Sequence, residues 1–541
     1  MKYIGPFFRM NSLSTKEIES QLLYLSREAI KHIVLESRCG ITINSKILKN
    51  IEFTKEELAS FRGTTPLLCV YKKAKPNIYS SKYYKSWDDT TFKKDIPILS
   101  NALMTSSLIY LTRYYDSFTS LDDQLNEISN LYKSLSKIQL EFYYNYLRNN
   151  EGFFIDKKNL ESIHQGELNL SEKNSKFNLV DQAFMMISYY CYAKNCKEDE
   201  DSKSYEKFAF EILQMFLEIK ESIYLLSLND CCKICFCLNV MFNLSKDENC
   251  KILLIDLCDY INSKYYESAN SISDLETTGL LAMNLMLAYE NLNISLFKDS
   301  FTDIIDLFIN MYDDERGILS KSLNKKEIKY SSIEIILYIL NMILYYKYID
   351  SSKNIADIIF KVYKQYIVNS GLITGFPEPP NLDSYERYIN SSLKSSDLIE
   401  EAMFRMPNCN SPELTGLASI FMKNVIYSRK KEVFSSNKNT FDSNINFLLF
   451  FIINYLLQSD YINNMFSNIK PAYNKKSINT KKTSSKIDNN EDMVSDSIDI
   501  SLNDAILDVE LEKTKNNEDL LINFNNNEND FNIDEFFLKS P

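Results

Sequence analysis

Trp87-Asp88-Asp89 stands within residues 64–96, a long connection that also holds Pro66 and Pro76. An indole next to carboxylates suits a sugar subsite, where the ring face packs on pyranose C–H groups and an acid takes a hydroxyl. The competing role is structural, since Asp in a loop commonly bonds its own backbone. Glu400-Glu401 precedes Phe404-Arg405-Met406-Pro407, and Arg405 suits a substrate carboxylate or an acid near Glu401. On a helix surface the same spacing gives only an ion pair of little energy. Asp181 follows Asn178 by three residues, as Glu17 follows Ser14, Glu57 follows Thr54, Glu276 follows Ser273 and Glu334 follows Ser331. Acids at that offset serve helix capping boxes, so each carries a structural explanation beside any catalytic one.

Other chemistries find little support. His32 and His164 are the only histidines, which leaves no supported Ser-His-Asp site and no His-rich zinc site. Cys231-Cys232-Lys233-Ile234-Cys235-Phe236-Cys237 is the densest thiol cluster. A metal site would need a second ligand cluster, which Cys191, Cys196, Cys250 and Cys258 supply only if folding gathers them; without βαβ context the cluster reads as core packing. Glycine-rich phosphate loops and dinucleotide fingerprints are absent. No cofactor and no metal are expected.

Charge is unevenly spread. Residues 487–541 hold 15 acids against 3 Lys, whereas residues 470–486 hold six Lys and no acid. The body is nearly balanced, so a broad nucleic-acid footprint is not expected. Low apolar content from about residue 467 predicts a disordered tail. Within it, apolar islands between residues 500 and 538 suit docking on a protein partner. The opening Met1-Lys2-Tyr3-Ile4-Gly5-Pro6 has no sustained apolar run, and Ile445–Leu457 is too short and too polar to insert in a membrane. With eleven cysteines in irregular positions, the expected location is the cytoplasm.

The elements that must position these residues are helices. Apolar residues recur at three- and four-residue spacing from about Ser14 to Ser459. Helices are expected over 14–37, 54–62, 97–116, 121–149, 179–195, 203–220, 230–243, 248–265, 274–291, 298–311, 330–348, 353–369, 395–405, 411–429 and 443–458, with Leu67–Tyr71 as a short strand. Gly40-Ile41, Gly152-Phe153, Gly317-Ile318 and Gly371-Leu372 are spaced by about two, three and one times 55 residues. At least three of these glycines directly follow a helix-like run, where a left-handed residue would stop a helix. Residues 64–96 and 371–394 are expected to be ordered loops at one end of the fold.

Glu151-Gly152-Phe153-Phe154-Ile155-Asp156 followed by Leu179–Phe184, and Arg316-Gly317-Ile318-Leu319 followed by Ser331–Glu334, resemble the turn and inner helix of an (α/α) toroid hairpin. Six-hairpin glycosidases and sugar epimerases form the largest such group. The resemblance implies an all-α body over residues 1–466 and a tail over 467–541; an open α-solenoid is the alternative shape. It also implies a carbohydrate ligand and a pair of carboxyls for glycoside cleavage, drawn from Asp88, Asp89, Asp181 and Glu401, with Trp87 and Arg405 binding substrate. The epimerases rely on paired histidines, which the two unmatched ones here do not supply. A non-catalytic helical scaffold, binding a partner through body or tail, is the second expectation.

Overall fold

The computed structural model describes residues 13–43, 64–80, 85–119, 123–160, 168–173, 177–267, 274–321, 325–377, 416–436 and 439–467. Glu401, Arg405, His164, the expected helices at 54–62 and 395–405 and the tail lie outside them. Among the described residues, twelve helices have ten residues or more. In chain order they are α1 (Thr15–Leu35), α2 (Ile98–Asp116), α3 (Asp123–Tyr146), α4 (Leu179–Asn195), α5 (Ser202–Glu218), α6 (Leu228–Ser245), α7 (Glu248–Glu267), α8 (Leu275–Leu292), α9 (Ser295–Met311), α10 (Ser332–Tyr348), α11 (Lys353–Val362) and α12 (Ser443–Ser467).

Two kinds of helix alternate. The even-numbered ones are apolar on nearly every side: α10 is buried without a break from Ile335 to Tyr345. A helix apolar all round belongs at the centre of a fold. The odd-numbered ones from α5 onward bury a single stripe, as α9 does with Phe297, Phe301, Ile304, Ile305 and Phe308. Each even helix packs on the next, from α2 through α12, and α12 packs back on α2 as well as on α10. That is a closed inner ring of six. Helices α3, α5, α7, α9 and α11 each cover the inner helix before them, and α1 covers α12. The chain is therefore an (α/α)6 toroid in which the first and last helices together make the sixth hairpin; the open solenoid is excluded.

Polar side chains buried between inner helices fix their pairing. Ser106 and Ser188 share a 2.8 Å hydrogen bond between α2 and α4. Asn284 of α8 donates to the Cys232 carbonyl of α6 at 2.8 Å, and Asn341 of α10 donates to the Gly279 carbonyl of α8 at 2.9 Å. Gln458 of α12 donates to the Tyr110 carbonyl of α2 at 2.7 Å.

The two ends of the ring differ. Inner-to-outer connections such as 246–247 and 293–294 are two residues long, with Lys246 and Asn293 as left-handed C-caps. All the described strands lie instead in outer-to-inner connections. They stitch neighbouring connections into a rim: Asp95–Ile96 pairs with Lys157–Asn159, Glu327–Ser331 with Asn424–Ser428, and Lys73–Ala74 with Phe441–Asp442. Gly40, Gly152, Gly317 and Gly371 all fall in this rim, past the ends of α1, α3, α9 and α11. They mark junctions between hairpins, yet the 112-residue gap spans one hairpin with a long connection rather than two. Of the helix expected over 411–429, the described residues 416–429 hold instead the strand Asn424–Ser428, which pairs onward with Val433–Ser436. Val425, Ile426 and Tyr427 prefer a strand once Glu327–Ser331 offers them an edge.

Candidate functional site

Inner helices run parallel, so their six N-termini surround one mouth at the rim end. Each inner helix keeps a partly exposed residue in its first turn: Leu99, Asp181, Asp230, Glu276, Glu334, and Asn444 with Ile445. Lys233 is partly exposed one turn deeper. Below them the axis is filled. Phe236 of α6 reaches across to Phe451 and Tyr455 of α12, with ring centroids 5.8 and 5.5 Å apart, and Tyr110 of α2 packs edge-on against both at 5.5 and 5.6 Å. Six residues of helix separate Asp230 from Phe236, so the recess closes about 9 Å below that carboxylate.

Two acids meet at the start of α2. Its N-cap is Pro97, which offers no side-chain acceptor, leaving free backbone N–H groups. Ile98 N–H donates to Asp156 Oδ1 at 2.9 Å, and the Leu99 backbone bonds the Asp181 carboxyl. Asp181 is surrounded by protein yet retains partial solvent contact in the first turn of α4. Burial, then the neighbouring Asp156 charge, push its carboxyl up to about 8, against the Leu99 hydrogen bond. Asp230 and Lys233 act on it more weakly and in opposite senses.

The neighbouring acids are held differently. Asp230 accepts the Ser227 hydroxyl at 2.8 Å, with Lys233 at 3.8 Å. Burial raises the Glu276 carboxyl, opposed by Lys233 and by a 3.4 Å hydrogen bond from Asn229. Glu334 is committed to structure: it takes the Ser331 N–H at 2.8 Å in a capping box and pairs with Lys321 at 2.8 Å.

Sequence expectations divide on this geometry. Asp181 lines the mouth, and its Asn178 neighbour caps α4 through the Val180 N–H. Asp88 accepts the Thr90 backbone N–H at 3.1 Å and the Thr90 hydroxyl at 2.6 Å, capping the 3-10 turn Asp89–Thr91; Asp89 is exposed. Trp87 corrects the reading of an exposed sugar platform. It is 2% exposed, its indole N–H donates to His32 Nε2 at 2.9 Å, and its ring packs edge-on to Phe441 at 5.1 Å. His32 in turn bonds Glu36 through Nδ1 at 2.8 Å, on an outer helix rather than at the mouth. Cys231, Cys232, Cys235 and Cys237 are buried within α6, and no group of three or more ligating side chains suited to a metal occurs among the described residues.

Asp156, Asp230 and Lys233 are mouth residues that sequence reasoning did not nominate, and Glu276 was assigned to capping. The available signal was position: Asp181, Asp230 and Glu334 each occupy the third residue of an inner helix.

No family model matches this chain, and no curated protein matches its sequence. Among solved structures it is similar to the cellobiose 2-epimerase of Spirochaeta thermophila, at 9% identity over 74% of this chain and 91% of the other, TM-score 0.43. Similar values relate it to the cellulase Cel9M of C. cellulolyticum (9% identity, 81% and 98%, TM-score 0.42) and to a D-mannose isomerase (10% identity, 56% and 80%, TM-score 0.39). The ring described above rests on its own packing. No helix among the described residues is long and apolar enough to cross a membrane.

Proposed function

We propose that the mouth of the ring binds and cleaves a glycoside, with Asp181 as general acid and Asp230 as the carboxylate base or nucleophile. What carries this reading is Asp181 itself: a carboxyl with solvent contact, pushed up to about 8 by burial and by Asp156, at a mouth where the first turns of other inner helices carry Asp230, Glu276 and Glu334. Glycoside cleavage requires such a division, one carboxyl holding a proton for the leaving oxygen and one ionised. Asp230, at the third position of the next inner helix, accepts the Ser227 hydroxyl at 2.8 Å and has the Lys233 ammonium 3.8 Å away.

A second reading follows from the same contacts. Asp156 and Asp181 both bond the N-terminus of α2, which is a sufficient structural reason for their presence in a non-catalytic scaffold. Asp181→Asn separates the two, because an amide oxygen still accepts the Leu99 N–H but the side chain has no acidic proton to give. On a panel of nitrophenyl glycosides and oligosaccharides, the variant is expected to fold normally and lose turnover by about 10²–10⁴-fold. Asp230→Asn is expected to lose at least as much. Unchanged turnover in both removes these residues from catalysis.

A further inference from the structure

A second recess lies on the outer surface, away from the ring axis, where α3 and α5 flank α4. Its volume is about 320 Å³, and its walls include Glu141, Tyr144, Tyr189, Tyr205, Phe208 and Glu211. Four of the rings interlock edge to face in three pairs: Tyr144 on Phe208 at 5.4 Å, Tyr189 on Phe208 at 4.8 Å, and Tyr189 on Tyr205 at 5.6 Å. One cation already uses this aromatic surface, since the Arg148 guanidinium sits 4.3 Å from the Tyr144 centroid and 5.5 Å from that of Phe208. Arg148 is fixed there by its 2.7 Å bond to the Gly152 carbonyl.

Apart from Arg148, which rests on the rings and on the Gly152 carbonyl, most charges around the recess are paired. Lys137 is bound by Asp199 at 3.0 Å and Asp201 at 2.9 Å, and Lys207 reaches Glu211 at 3.7 Å. Glu141 makes no ion pair among the described residues; the Tyr205 hydroxyl donates to it at 3.3 Å. Burial raises this carboxyl, with Lys137 and the Tyr205 bond acting against the rise. A half-buried acid beside aromatic faces attracts a cation through both charge and ring quadrupole.

We propose that this recess is a binding site for a primary alkylammonium group, its nitrogen on Glu141 and its alkyl stem along Tyr205 and Phe208. The opening admits a small amine or an exposed lysine side chain; both present the same chemistry. Hexylammonium and the neutral 1-hexanol serve as probes, titrated by NMR or calorimetry against the full chain. The wild type is expected to favour hexylammonium at least tenfold over 1-hexanol. Glu141→Gln, which retains an acceptor for Tyr205, is expected to remove that preference, and Phe208→Leu to weaken binding of both probes. Glu248→Gln, an exposed acid on α7 paired with Lys251, is expected to change nothing. Equal affinity for the two probes, a preference that survives Glu141→Gln, or an equal loss in Glu248→Gln would each overturn the proposal, the last by tracing the effect to general surface charge. Loss of folding in Glu141→Gln moves the test to Tyr205→Phe, where hexylammonium preference must persist, because the carboxylate remains.

Discussion

Asp181 couples stability to pH in an unusual direction for a carboxyl. Its folded value is about 8 and its unfolded reference 3.8, so between these limits the folded chain holds a proton that the unfolded chain has released. Stability therefore falls as pH rises from about 4 to about 8, and the loss is complete above that. Asp181→Asn has no such titration. Urea unfolding at pH 5 and pH 8.5 is expected to show the variant gaining on the wild type by up to a few kcal/mol at the higher pH; parallel profiles would contradict the shift. The residue was legible in the sequence as a first-turn acid, but its environment was not. Asp156, 58 residues from Ile98, meets the start of α2 only because the toroid brings a rim connection over it. Trp87 was misread for a related reason, since its partner His32 lies 55 residues away on α1.

At the level of elements, periodicity located the helices well because most carry their own start signal. Ser14 with Glu17 and Ser331 with Glu334 form full capping boxes, and Ser227 and Ser352 cap the helices that follow them. The strands were less legible, being two to five residues long and in half of the described pairs dependent on partners far along the chain. The recurring glycines show how one sequence signal hides two physical causes. At Gly317 the backbone has φ +65° and nothing stands within 4 Å of an added Cβ. Gly40 has ordinary extended backbone, but a Cβ there would lie 1.9 Å from the Cys69 carbonyl oxygen. Gly317→Ala is expected to cost about 1 kcal/mol through backbone strain alone. Gly40→Ala forces apart the strand pair Gly40–Thr42 and Leu67–Val70 and is expected to cost about 3 kcal/mol or more. Thermal melts of the two variants decide it, and similar losses would refute the distinction.

Across the whole molecule, closure of the ring depends on α1. Ile18, Leu22, Leu25, Ile30 and Ile33 are buried, while Ser26 donates to the Phe450 carbonyl at 3.2 Å and Tyr363 donates to Gln21 at 2.7 Å. At about 2 kcal/mol for each buried aliphatic side chain, this face contributes about 10 kcal/mol, comparable to the net stability of a typical domain. Deleting residues 13–35 is expected to abolish the cooperative urea transition and the near-ultraviolet circular dichroism of packed aromatics. A deletion variant that still melts sharply would mean that the other eleven helices suffice. Six-fold closure was only partly legible from local pattern, because a hairpin repeat specifies how neighbours pack and not whether the last unit meets the first.

The pairing of α1 with α12 also sets an order of events during synthesis. About 400 residues separate the end of α1 from the start of α12, so a ribosome adding about 5–20 residues per second needs roughly 20–80 s to deliver the partner. Throughout that interval the apolar stripe of α1 has no final resting place. A nascent chain of this design is vulnerable to off-pathway association until α12 emerges, and chaperone capture of the segment that holds α1 would bridge the delay.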